Sequence, residues 1–324
     1  MEVLWKHRSF LIGLAGLGAA VAVTWIYVSR RKEKQMRKVG KISQLFLYPI
    51  KSCKGIPLQR AECREYGLKN GEFSDRHWLV VKEDKVHVTA RQEPRMVLIT
   101  VTCDRGQITL SAPGMEKLAV PLKLPTSNAI FTCKVHGNDV SGRDCGDEAS
   151  QWITNFLKNV QTYRLVQFED RMKRRNPKNE YPLYSENDRV AYPDLSPLLL
   201  VSEASLEDLN SKLENKVSIR NFRPNIVVSG CGAFAEDTWK EIQIGESVTL
   251  QRVMPCPRSV KIQTVCVFSF LESKDETKSK LPSYRLCDTE DKKVYKSSPL
   301  FGQFVRIKKK GMIKVGDPVY EIFY

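Results

Sequence analysis

Histidine is scarce in this chain, and paired cysteines are absent. Four histidines occur in 324 residues, and none of the nine cysteines forms a C-x-x-C pair. That excludes the usual structural zinc arrangements. An odd cysteine count at scattered spacings also argues against a disulfide framework and for a reducing compartment. Acidic residues are few: 37 Asp and Glu face 52 Lys and Arg, a formal net charge of +15. The basic residues concentrate in Met1–Lys38, Arg171–Lys178 and Arg306–Lys310. These runs lack aromatics interleaved at stacking spacing, and no nucleic-acid motif accompanies them, so nucleic acid is not the expected partner. A membrane surface or an acidic protein fits the balance instead.

The N-terminal run Phe10–Val28 is uncharged and mostly apolar, just long enough to cross a bilayer core as a helix. Trp25 and Tyr27 mark its exit, and Arg30, Arg31, Lys32, Lys34, Arg37 and Lys38 follow. The more basic flank lies after the span, which predicts a cytosolic C-terminal part. Ala20-Val21-Ala22 resembles a signal-peptidase site, but the apolar run continues past it, so a retained anchor is expected. A short Gly/Ala-rich span with basic flanks suits the mitochondrial outer membrane; the endoplasmic reticulum is the alternative.

Beyond the anchor, short strand patterns dominate. Ile42–Ile50, Trp78–Val81, Val86–Thr89, Val97–Cys103, Gln107–Ser111, Ala129–Val135, Leu198–Val201, Ile226–Ser229, Trp239–Ile242 and Val248–Arg252 read as strands. Asp147–Lys158 reads as a helix with acidic residues in its first turn. Ser205-x-x-Asp208 reads as a cap, with Leu206, Leu209 and Leu213 on a core-facing stripe. Glu169–Arg189 is a charged, Pro-containing linker. The fold class is α+β, mainly β: a membrane segment at 1–38, a β-rich domain at 39–168 and a β-barrel domain at 169–324.

Two stretches carry candidate chemistry. Tyr48–Gly55 leaves a strand and presents Lys51, Ser52 and Lys54 on a Gly-ended turn, a plausible grip for phosphate; an ordinary solvated turn is the alternative. Asp75-Arg76 opens an apolar strand and reads by itself as a surface ion pair. The run Val253–Cys266 holds two thiols, Cys256 and Cys266, with Arg258 near the first. Pro255 and Pro257 predict a rigid loop. A cation beside a thiol favours thiolate, the form that ligates a soft metal; two ordinary reduced cysteines in a loop are the alternative.

A family resemblance rests on Leu47–Gly55, Ser74-Asp75-Arg76, Thr89–Arg95, His136-Gly137, Gly142–Cys145, Asn221–Asn225, Ser283–Asp288, Ser298–Gly302 and Val315–Val319. In order and spacing these resemble the mitochondrial amidoxime-reducing component family, built on the MOSC (molybdenum cofactor sulfurase C-terminal) domain. The likeness covers nearly everything after the anchor. It implies a MOSC N-terminal domain at 39–168, a MOSC barrel at 169–324, and a pyranopterin molybdenum cofactor (Mo-molybdopterin). Lys51, Ser52, Arg76, Asp194, Leu195, Ser196, Arg223, Asn225, Pro257 and Arg258 are then candidate cofactor-binding residues. The implied activity is reduction of N-hydroxylated compounds: amidoximes, hydroxylamines and N-hydroxylated bases. Electrons would come from NADH through cytochrome b5 reductase and a cytochrome b5-type haem protein. The implied setting is the mitochondrial outer membrane, with the catalytic part in the cytosol.

The pattern breaks at one place. Typical members read Cys-x-Arg-Cys, with the second Cys on the metal; here the run is Cys256-Pro257-Arg258-Ser259, and the family's following turn is absent. Ser259 and Cys266 are therefore both candidate metal ligands, with Arg258 beside them as a candidate catalytic group. A serine hydroxyl is harder and less acidic than a thiol, which favours Cys266. Loss of the ligand, giving a catalytically silent MOSC binding protein or splice variant, is the competing reading. A sulfur-transferase role would need a pyridoxal-phosphate domain, for which Met1–Lys38 has no room.

Overall fold

The computed structural model describes residues 34–158, 161–179, 181–258, 285–287, 292–295 and 298–324. Phe10–Val28, Ser259 and Cys266 lie outside these residues. Among the described residues no helix is long and apolar enough to cross a membrane.

The first half is built from β1 (Gln35–Leu47), β2 (Ile56–Leu58), β3 (Arg60–Arg64), β4 (Gly67–Asn70), β5 (Phe73–Ser74), β6 (Trp78–Lys82), β7 (Thr100–Asp104), β8 (Gln107–Ser111), β9 (Leu118–Pro121), β10 (Ile130–Val135), β11 (Asn138–Asp144), helix α1 (Asp147–Leu157) and β12 (Tyr163–Gln167). The second holds β13 (Leu198–Ser202), helix α2 (Glu203–Asn210), β14 (Ile226–Ser229), β15 (Glu241–Ile244), β16 (Val248–Pro257), β17 (Leu300–Lys309), β18 (Gly311–Lys314) and β19 (Pro318–Phe323).

Seven strands close a barrel in the order β14-β13-β17-β16-β15-β19-β1, and β1 pairs back onto β14. Alternation makes the barrel core: Ile42 and Leu45, Leu198 and Leu200, Ile226 and Val228, and Ile242 and Ile244 all point inward. The barrel thus takes its closing strand from the first half of the chain. Around it lie the sheets β10-β11-β12-β6, β18-β3-β4-β5 and β7-β8-β9. Helix α1 carries Asp147 and Glu148 in its first turn and buries Trp152, Ile153 and Phe156.

Several sequence expectations shift. Strand β1 starts at Gln35, inside the segment assigned to the basic flank, because Gln35–Lys38 pairs with Tyr320–Phe323 of β19. Val97 and Leu98 sit in a short 3-10 turn, Pro94–Leu98, so the strand begins only at Thr100. Helix α2 starts one turn earlier than expected: Ser202 Oγ accepts from the Ser205 amide, and Ser202, not Ser205, is the cap. The run that opens at Val253 is no free loop as far as Pro257. It continues β16, paired with β17 through two bulges that accommodate its prolines.

Candidate functional site

The C-terminal ends of β1 and β16 meet the start of β17 and the turns before β13 and β14. A cleft opens between them, holding about 940 Å³ of space outside the protein atoms and partly open to solvent. Its walls include Lys51, Ser52, Arg76, Asp194, Ser196, Arg223 and Arg258, residues that are remote in sequence. Leu195, Asn225 and Pro257 do not line it. Leu195 packs in the core with Phe46 and Val201. Asn225 is buried behind the wall, where its side-chain oxygen accepts from Arg76 Nη1 at 3.0 Å and its Nδ2 donates to Asp75 Oδ1 at 3.1 Å. Pro257 ends β16.

Asp75 and Arg76 are no surface pair. The Asp75 carboxylate is fully enclosed, paired with the Arg76 guanidinium and accepting from the Tyr48 amide at 2.8 Å. Burial nonetheless pushes the Asp75 carboxyl upward. The Tyr48 ring sits between two cations, with the Arg76 guanidinium 4.4 Å and that of Arg223 4.3 Å from its centroid. Burial drives the Tyr48 hydroxyl up to about 12. Ser52, Arg76, Arg223 and His136 all adopt left-handed backbone, with φ of 70°, 47°, 56° and 50°. Such conformations in residues with side chains cluster at functional sites.

Lys51 is nearly buried and donates to Tyr192 O at 2.8 Å and to the Asp194 carboxylate. Burial pulls its ammonium down, against the pull of Asp194. The same Asp194 oxygen lies 2.8 Å from His136 Nε2. Burial opposes Asp194 ionisation, but Lys51 and His136 together hold the carboxyl well below the carboxylate range. His136 comes from the β10–β11 turn, so this contact joins the two halves of the chain at the cleft.

The cleft fits an anionic group. Lys51, Arg76, Arg91, Arg223 and Arg258 face it, against Asp194 as the lining carboxylate. Among the described residues, Arg223 and Arg258 each keep a buried guanidinium nitrogen without an acceptor, although Arg258 Nε reaches Phe301 O at 2.9 Å and Nη1 reaches Phe222 O at 3.1 Å. Buried donors without partners are rare, and a bound oxyanion would satisfy them.

Cys256 lines the cleft too, but its expected thiolate character does not hold. Burial pushes the thiol to about 11, outweighing the opposing pull of Arg258. In a dry setting, desolvating a thiolate costs more than one nearby guanidinium restores. Among the described residues no group of three His, Cys, Asp or Glu side chains could hold a metal ion. Thr89, Ala90, Arg91, Pro193, Leu198, Leu199, Asn221, Phe222 and Phe304 also line the cleft and were not site candidates. Thr89, Ala90, Arg91, Asn221 and Phe222 stand inside the motifs that carry the resemblance; Leu198 and Leu199 read only as strand.

Residues 39–160 match the MOSC N-terminal beta barrel domain and residues 187–320 the MOSC domain. The chain is 50% identical to mitochondrial amidoxime reducing component 2 of Rattus norvegicus over 98% of its own length and 95% of the relative's. It is 49% identical to mitochondrial amidoxime-reducing component 1 of Homo sapiens over the same shares. For the human component 2 the identity is 48%, over 96% of this chain and 93% of the other. Half of its residues shared along almost its whole length, with both domains in order, place this chain in the mitochondrial amidoxime-reducing component family.

Proposed function

We propose that this chain is a molybdenum-cofactor-dependent reductase of N-hydroxylated compounds, with amidoximes as the representative substrate. The observation that carries it is the cleft whose Arg223 and Arg258 keep guanidinium nitrogens without a partner among the described residues, in a chain half identical to proteins named for amidoxime reduction. Lys51, Arg76, Arg223 and Arg258 would hold the anionic pterin phosphate, with Ser52 and Ser196 adding hydroxyls. When bound, the cofactor supplies the two-electron chemistry that removes the oxygen of an N–O bond. The chain's own residues bind, orient and exclude water. Asn225 and Asp75 fix the Arg76 fork, Phe222 and Phe304 supply apolar wall, and Asp194 keeps Lys51 charged and aimed. The open face of the cleft leaves room for a small substrate.

The supporting setting is a mitochondrial one, after the names of the relatives, with Phe10–Val28 as an outer-membrane anchor and the reductase part in the cytosol. Electrons would arrive from NADH through cytochrome b5 reductase and a cytochrome b5-type haem protein. The net charge of +15 favours an acidic donor, so turnover should slow as salt screens the encounter.

A second reading follows from Ser259, which stands where the family carries a metal-binding cysteine: a MOSC protein that keeps the pocket and has lost turnover. Metal analysis separates the two. The full chain, purified from a host that makes the cofactor, should hold molybdenum near one per chain and reduce an amidoxime. Pterin or an empty pocket without molybdenum would support the silent reading. Cys266→Ala should then lose the metal if Cys266 is the ligand; unchanged metal content removes it from that role.

A further inference from the structure

Two of the three basic runs, hundreds of residues apart in sequence, meet on one wall of the barrel. The ladder registers align Lys38 with Tyr320, Tyr320 with Gln243, Gln243 with Thr249, and Thr249 with Lys309. These five residues form a single row across β1, β19, β15, β16 and β17. Residues opposite one another in a ladder point to the same face, and at strand spacing the row is about 19 Å wide. Ile242, Ile244, Val248, Leu250 and Val319, their neighbours along the strands, fill the barrel interior. The row therefore faces outward. Lys34 donates to Gln243 in the same row at 2.9 Å, and Lys308 pairs with Glu241 two residues away at 2.8 Å. Arg37 pairs with Glu321. Lys34, Lys38 and Lys309 make no ion pair among the described residues and are exposed. At the same end, Met36 (41% exposed), Phe323 (41%) and Tyr324 (63%) stand out from the surface.

We infer that this wall rests on the anionic lipid surface of the membrane that carries the anchor; the inference builds on the anchor proposed above. Only six residue steps separate Val28, the end of the apolar run, from Lys34. A chain that short spans at most about 21 Å, so the wall cannot be far from the bilayer. Lysines near an anionic surface and aromatic rings at headgroup level are the residue types such a surface takes. An acidic protein on the wall is the competing occupant, but it would not account for the exposed apolar residues beside it.

The test is hydrogen exchange on the full chain, reconstituted in bilayers of phosphatidylcholine alone or with phosphatidylserine. Exchange at Gln35–Gly40 and Tyr320–Tyr324 should slow on the order of tenfold with the anionic lipid. The slowing should vanish in high salt and in a Lys308→Glu, Lys309→Glu variant whose thermal midpoint is unchanged. Equal exchange in both bilayers, with the chain still embedded, overturns the inference and leaves the anchor intact. Protection that appears only on adding a soluble acidic haem protein also overturns it. Release of the chain from neutral bilayers in high salt removes the anchor and the inference together.

Discussion

At the residue scale, Arg223 is the side chain the proposed function assigns to a ligand and not to the fold. Its guanidinium lies over Tyr48 and, among the described residues, keeps a buried nitrogen without an acceptor, and burial together with the neighbouring Arg76 charge pulls its own pKa downward. Arg223→Ala should leave the thermal midpoint of the empty protein unchanged or higher, while molybdenum and pterin retained through purification fall roughly 10- to 100-fold, the loss expected for one or two charge-assisted hydrogen bonds. A marked drop in midpoint would assign Arg223 to the fold. His77 and His87 behave differently. Burial holds both near 4, against about 6.5 in an unfolded chain. The unfolded chain therefore binds more protons between those values, so stability is full above pH 6.5 and is lost as pH falls toward 4, by up to roughly 3 kcal/mol for each. Denaturant midpoints measured from pH 7 to pH 4 should show this slope, and His87→Gln should flatten it.

At the scale of elements, the pairing of β13 with β17 governs one side of the cleft. Gly302 lies in β17 at φ 82°, and a Cβ there would meet Val201 Cγ2 at 2.7 Å and Leu200 O at 3.0 Å. Neither neighbour is a flexible chain end, so Gly302→Ala should destabilise by about 2–4 kcal/mol, read as a lower urea midpoint. Because the carbonyl of Phe301 and the ring of Phe304 flank it on the same strand, the variant should also retain less cofactor. Strand β16 makes the complementary point. Its bulges at Arg252–Met254 and Pro255–Pro257 let a proline-bearing segment stay in the ladder and deliver Cys256 and Arg258 to the cleft.

For the whole molecule, the barrel is not the property of the second half. Strand β1 pairs with both β14 and β19, and its removal would leave two open edges. The segment 169–324 made alone should therefore fail to give a cooperative unfolding transition and should aggregate; adding 34–48 back in trans or by fusion should restore the transition. A well-folded isolated segment would show that β1 is dispensable. The cleft is likewise shared, with Lys51, Arg76 and His136 from the first half meeting Asp194, Arg223 and Arg258 from the second.

The residues by themselves determined the strand-rich character, the limits of β8 and β14, and helix α1, while the family resemblance picked out Lys51, Ser52, Arg76, Arg223 and Arg258, which line the cleft. Alternation, turn residues and charged groups inside ordered motifs are local signals, and they survive in one dimension. Only the tertiary structure decided that Asp75 and Arg76 are buried together, that Leu195 and Asn225 stand behind the cleft, and that Cys256 is a thiol. Burial depends on neighbours hundreds of positions away, and desolvation can overrule the charge beside a group in sequence. Strand order belongs to the same class: no local pattern says that residue 38 lies in line with residue 309, because that alignment exists only once the sheet closes on itself.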